Sequence, residues 1–240
     1  WVDTTKAVVN TVKELLPGGK VHEKYLYNLQ QIADMAKACI GADGKLVPII
    51  FRPFHEMEGG WFWWGRPHRT PEEFIALWRF TVEYLRDNLE VHNFLYAFSP
   101  DCKFFTREEY LIDYPGDNYV DVVGMDNYWD FRPDGANDQV LAGKKIKIVS
   151  DLAQEKGKIA AMTETGLESI PDSSWFTKKL MPVLLYEGSK IAYVMLWRND
   201  NRMKHHFYAP YSGHASVPDF LKFYNEAYTL FENDLKGIYK

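Results

Sequence analysis

The sequence predicts an α/β protein built on a (β/α)8 barrel, and three observations carry that expectation. Short, near-continuous apolar runs alternate with stretches of helical periodicity, the pattern of parallel strands joined by helical crossovers. No Gly-x-Gly-x-x-Gly or Gly-x4-Gly-Lys-Ser/Thr turn follows any run, so a nucleotide-binding doubly wound sheet has no support. Ionisable residues stand just past the end of each run, where a barrel gathers its chemistry.

Taken in chain order, residues 5–16 and 24–40 read as helices separated by Pro17-Gly18-Gly19. The first strand, residues 46–51, leads into Arg52 to Glu56. Thr70-Pro71-Glu72-Glu73 is a capping box with proline at the first helical position, and Phe74, Leu77, Trp78, Thr81 and Leu85 follow on one stripe. The second strand, 94–98, precedes Asp101, and Thr106-Arg107-Glu108-Glu109 caps a short helix. The third strand, 120–125, ends before Asp126 and Tyr128, and a helix over 137–156 stops at Gly157. The fourth strand, 159–163, ends before Glu164. The helix after it, 175–187, contains Pro182, which predicts a kink. The fifth strand, 191–197, precedes Arg198, and a last helix is expected over 218–233. The length of 240 residues favours one domain over two and suits a whole barrel, yet only five strands are legible.

Composition narrows the class. The charge of −5, from 28 basic and 33 acidic residues, argues against nucleic acid or an anionic membrane as partner. No apolar run is long enough to span a bilayer, and the first residues lack the basic and apolar regions of a signal peptide. Cys39 and Cys102 form no metal or redox pair; two buried thiols are expected rather than a disulfide. Eight Trp, 15 Tyr and 15 Phe exceed what packing alone needs, and flat half-apolar sugar rings are the partners that such a surplus grips.

The densest chemistry lies in residues 51–65, Phe-Arg-Pro-Phe-His-Glu-Met-Glu-Gly-Gly-Trp-Phe-Trp-Trp-Gly. Gly59 stands where a zinc protease needs its second histidine, which excludes His-Glu-x-x-His. What remains is Glu56 beside Trp61, Trp63 and Trp64. A second carboxylate, Glu164, closes an apolar strand, where a charge is costly unless paired or used. Glycosidic hydrolysis needs two such groups, one holding a proton and one ionised. Apolar walls suit Glu56 to the first role; Tyr128 and an arginine suit Glu164 to the second.

Residues 51–65 closely resemble the acid/base motif of glycoside hydrolase family 26, the family of many β-mannanases. Thr163-Glu164-Thr165-Gly166 resembles its nucleophile strand, residues 122–128 its strand-six motif and Leu196-Trp197-Arg198-Asn199 its strand-eight motif. The resemblance implies a (β/α)8 barrel acting with retention of anomeric configuration and without a metal or organic cofactor. It makes Glu56 the acid/base and Glu164 the nucleophile. His55 would contact substrate or orient a carboxylate, Tyr128 would bond the nucleophile, and Trp61 would line the sugar site. Trp197 and Arg198 would shape the glycone side, Arg52 would hold the carboxylates, and Asp126 would join the substrate-binding set.

The implied activity is endo-hydrolysis of β-1,4-mannan, galactomannan or glucomannan, with no nucleic-acid or membrane partner and an extracellular, surface or periplasmic place of work. Mixed-linkage β-glucanase, β-1,3-xylanase, exo-mannobiohydrolase and a non-catalytic sugar-binding fragment are the alternatives. The resemblance also places residue 1 after barrel strand three, so the five strands would be four to eight. Such an arc exposes two sheet edges, and a second chain or a further segment is expected to complete it.

Among residues outside the motifs, His205-His206 reads as a surface loop, and Glu58 and Glu168 as solvent-exposed. Lys144, Lys145 and Lys147 read as a solvated helix face, Asp101 as either a subsite contact or a loop cap, and one of the three motif tryptophans, Trp61, Trp63 and Trp64, as core packing.

Overall fold

The structure is a computed structural model that describes residues 10–237. Five strands, β1 (Ile49–Phe51), β2 (Phe94–Phe98), β3 (Val122–Asn127), β4 (Ile159–Thr165) and β5 (Tyr193–Leu196), pair in parallel and in sequence order. They form a half-barrel, consistent with part of a (β/α)8 barrel. Strands β3 and β4 are almost wholly buried, as near-continuous apolar runs require. The outer strands β1 and β5 are only partly covered, with Ile50 exposed, because each pairs on one side.

Helices α1 (Thr11–Leu15) and α2 (His22–Ala38) precede the sheet; of the expected 5–16 helix, residues 5–9 lie outside the described residues. Helix α3 (Pro71–Glu83) starts at a complete capping box, in which Thr70 Oγ1 accepts from the Glu73 amide and Glu73 returns a carboxylate to the Thr70 amide. It buries Phe74, Leu77 and Trp78 completely, and at about 1.5–3 kcal/mol per large apolar side chain that stripe fixes the helix on the sheet. The same cap recurs at Thr106 and Glu109 before α4 (Arg107–Tyr110). Asp138 caps α5 (Gln139–Lys156), and Gly157, in the left-handed region, ends it.

The segment after β4 widens into a π-turn, Phe176–Leu180, that runs into α6 (Met181–Leu184), with Pro182 at the irregularity expected of it. Helix α7 (Val217–Tyr224) is much shorter than the 218–233 stripe predicted. Thr229 Oγ1 donates to the Phe223 carbonyl at 2.6 Å and Phe231 folds back on Tyr224, their rings 4.4 Å apart, so a turn makes the contacts that periodicity assigned to a helix.

Three other expectations need correction. Lys145 is not solvated: it lies on the sheet-facing side of α5 and its ammonium is 2.9 Å from Asp130, both side chains being nearly inaccessible. Asp130 in turn accepts from Asn127 Nδ2 and its amide donates to Asn127 Oδ1, so this ion pair fastens the segment that carries Tyr128. Lys145→Met should therefore lower stability by about 3–5 kcal/mol, read as a lower urea midpoint at unchanged m-value, because Asp130 is left buried without its cation. Both cysteines are free, but only Cys102 is buried; Cys39 is half-buried. Glu58 is not solvent-exposed either, since its carboxyl Oε2 is buried and without a hydrogen-bond partner.

Candidate active site

The chemistry collects at the C-terminal ends of the strands. Just past β1 the chain turns through left-handed backbone at Phe54 and Glu56, both at φ 51°, conformations that L-residues adopt only under constraint. The constraint is visible: the Glu56 amide donates to the Ser99 carbonyl at 2.8 Å, tying this loop to the end of β2. Phe54 packs edge-on against Trp63, Trp64, Phe74 and Trp78. Trp63 and Trp64 thus serve mainly as packing, while Trp64 Nε1 also donates to the His55 carbonyl at 2.8 Å. Arg69, which sequence reasoning passed over, is buried behind the loop and donates to the carbonyls of Trp64 and Met57 while pairing with Asp113. The loop is therefore pinned from within.

Trp61 faces Glu56: its indole Nε1 donates to Glu56 Oε2 at 2.7 Å. The ring lies so close to Gly59 that a Cβ there would come within 2.4 Å of it, which explains glycine at that position. Burial, followed by the nearby Asp101 anion, raises the Glu56 carboxyl to about 7, outweighing the opposing indole bond. A protonated Glu56 is thus well populated at neutral pH.

Glu164 is positioned by a β-bulge. Met125 pairs with Met162 but Asp126 pairs with Glu164, so Thr163 is an extra residue in β4. The insertion lets two consecutive side chains reach one network. Thr163 Oγ1 donates to Asp126 Oδ1 at 2.7 Å, and Glu164 accepts from Arg52 Nη2 through one oxygen and from Tyr128 at 2.9 Å through the other. Gly124 makes room across the strand pair, since a Cβ there would meet Thr163 at 2.5 Å. Burial and the Glu164 anion push the Tyr128 hydroxyl far above its ordinary range, so it stays a donor.

Arg52 spans the two carboxylates, with Nη1 donating to Asp126 Oδ2 at 2.8 Å. Asp126, expected to bind substrate, is completely buried and also accepts from Ser99 and Thr163. Its side chain braces Arg52 rather than facing a ligand. His55, Asp126 and Glu164 have potential ligand atoms within 4.8 Å of one another. The guanidinium already bonds both carboxylates, an arrangement that suits an arginine clamp rather than a metal ion. Burial, and then Arg52, lowers His55 to about 4, leaving a neutral imidazole.

A cleft of about 800 Å³ opens over this network, walled by His55, Glu56, Tyr128, Glu164, Trp197 and Arg198 among others. Six of the nine residues singled out from the sequence thus share one cleft. Arg52, Asp126 and Trp61 support its floor and flank through Glu164 and Glu56. Glu168 is exposed, yet it lines the cleft with His206, which the sequence assigned to a surface loop. His206 Nδ1 lies 2.6 Å from Glu168, and Arg198 Nε donates to His206 Nε2 at 3.3 Å. Tyr208 packs edge-on against Tyr128 on the same wall. The His206–Glu168 and Tyr128–Tyr208 contacts are not readable from spacing, because each joins segments more than 30 residues apart.

The surroundings of this cleft have counterparts elsewhere. A mannan endo-1,4-beta-mannosidase of Bifidobacterium adolescentis is 39% identical over 227 residues, covering 88% of this chain and 22% of that protein. Among solved structures, GH26C of a Muricauda species is 44% identical with a TM-score of 0.91, over 97% of this chain and 63% of that one. A GH26 beta-mannanase from Bacteroides ovatus is 39% identical with a TM-score of 0.91, over 99% of this chain and 67% of that one. The chain therefore spans about two thirds of these structures and under a quarter of the curated relative. With residues 1–179 matching the family model as well, the chain belongs to glycosyl hydrolase family 26.

Proposed function

We propose that this chain is the greater part of one catalytic domain of a retaining endo-β-1,4-mannanase. The observation that carries the reading is the contrast between two carboxyls on one cleft. Glu56 is buried near Asp101 and raised to about 7, so its protonated form is well populated at neutral pH; Glu164 is held by a guanidinium and a phenol, the partners of a carboxylate. The relatives named for mannan hydrolysis support the substrate.

In this reading Glu164 attacks the anomeric carbon as Glu56 delivers its proton to the glycosidic oxygen, and the leaving chain departs as an alcohol. Glu56, now ionised, takes a proton from water. That water attacks the anomeric carbon, and Glu164 is released with its original charge. His55, Trp197 and Arg198 contact the sugar from the cleft walls, Trp61 holds the acid, and Tyr128 and Arg52 hold the nucleophile. No cofactor takes part. A polymeric substrate places the work outside the cell membrane, and no described helix is long and apolar enough to cross one.

Two measurements test the proposal. Manno-oligosaccharide digestion followed by NMR should show the β-anomer first, and turnover on mannan should exceed that on lichenan; α-product or a preference for lichenan contradicts it. The free-enzyme profile of kcat/KM should fall above pH about 7, as Glu56 loses the proton that it must donate.

A further inference from the structure

We propose that Lys103 is a positioning residue for the acid: lodged over the Trp61 ring and beside Asp101, it keeps the indole N–H on Glu56. The inference rests on the reading of Glu56 as proton donor. Lys103 Nζ lies 4.1 Å from the Trp61 ring centroid, a cation–π distance. The same ammonium is 4.0 Å from Asp101 Oδ2. The far end of the chain is the 2.7 Å bond from Trp61 to Glu56. The two ends are stitched together, because the Glu56 amide bonds Ser99, which precedes Pro100 and Asp101 in the segment after β2. Just over half of the Lys103 side chain is exposed, so its charge is hydrated.

Several charged or titratable groups lie around Glu56. Arg52, His55 and Glu58 come from its own segment, Asp101 and Lys103 from the segment after β2, Asp126 from β3, Tyr128 from just past it, and Glu164 from β4. Asp101 tightens the hold of Glu56 on its proton, and Lys103 opposes it. Loss of Lys103 removes a cation and loosens the indole bond, and both effects favour protonated Glu56. Loss of the Asp101 charge acts in the opposite sense.

The test is the pH profile of kcat/KM on a manno-oligosaccharide for the wild type, Lys103→Met, Lys103→Arg and Asp101→Asn, with Tm recorded for each. Lys103→Met should raise the alkaline limb by about half a pH unit and lower the plateau roughly three- to fivefold. Lys103→Arg should restore most of both, since a guanidinium also stacks on indole. Asp101→Asn should move the limb down. An unmoved limb in folded Lys103→Met, or an arginine variant as impaired as the methionine one, overturns the role of Lys103. A Glu56→Gln protein that retains the wild-type limb instead overturns the acid assignment beneath it.

Discussion

Glu164→Ala should abolish mannan hydrolysis, by about 10⁴-fold or more, and azide should restore turnover of an aryl mannobioside. The two carboxylate oxygens of Glu164 are each held by a donor, Arg52 and Tyr128, which fixes their direction; Asp126 lies beneath Arg52, completely buried. Alanine leaves a gap on that face of the sugar. Azide entering the gap attacks the anomeric carbon and expels the phenolate, giving a mannosyl azide of inverted configuration. Rates with and without azide, and NMR of the product, read the result. Residual hydrolysis near the wild-type rate, or an azide product of retained configuration, would remove Glu164 from the mechanism.

Glu56→Ala should separate substrates by their leaving groups. On mannan, whose leaving oxygen is an alkoxide unless protonated, kcat/KM should fall by about 10²–10⁴-fold. On a dinitrophenyl mannobioside, which leaves without a proton, kcat/KM should be largely spared. The second half-reaction still lacks its base, so the covalent intermediate should accumulate and appear as a burst of phenolate. Equal losses on both substrates would contradict the assignment. Trp61→Phe, which keeps an aromatic ring but removes the 2.7 Å bond, should move the alkaline limb of kcat/KM to higher pH, since that bond opposes protonation of Glu56.

Much of this was legible because local rules sufficed. Apolar runs gave the five strands, and the capping boxes at Thr70 and Thr106 gave two helix starts. The Trp-rich segment and the Thr-Glu-Thr-Gly strand end pointed to Glu56 and Glu164. What escaped depends on partners distant in sequence. A lysine on a helix reads as solvated, and Lys145 is buried only because Asp130 waits beneath it. Asp126 reads as a ligand contact from its place at a strand end, yet Ser99, Thr163 and Arg52 claim its oxygens. Lys103 has no motif, and its meaning comes from an indole more than 40 residues away. The length of α7 was misread because a folded-back Phe231 makes the same apolar contacts as another helical turn.

The extra residue at Thr163 has a consequence for protein engineering. On a regular strand, neighbours in sequence look to opposite sides, so a designer grafting Thr-Glu into another barrel would deliver one side chain to the cavity and the other to the surrounding helices. Transplanting Glu164 together with the Thr163 hydroxyl that bonds Asp126 therefore requires copying a flaw in the pleat, together with the bare glycine opposite that accommodates it.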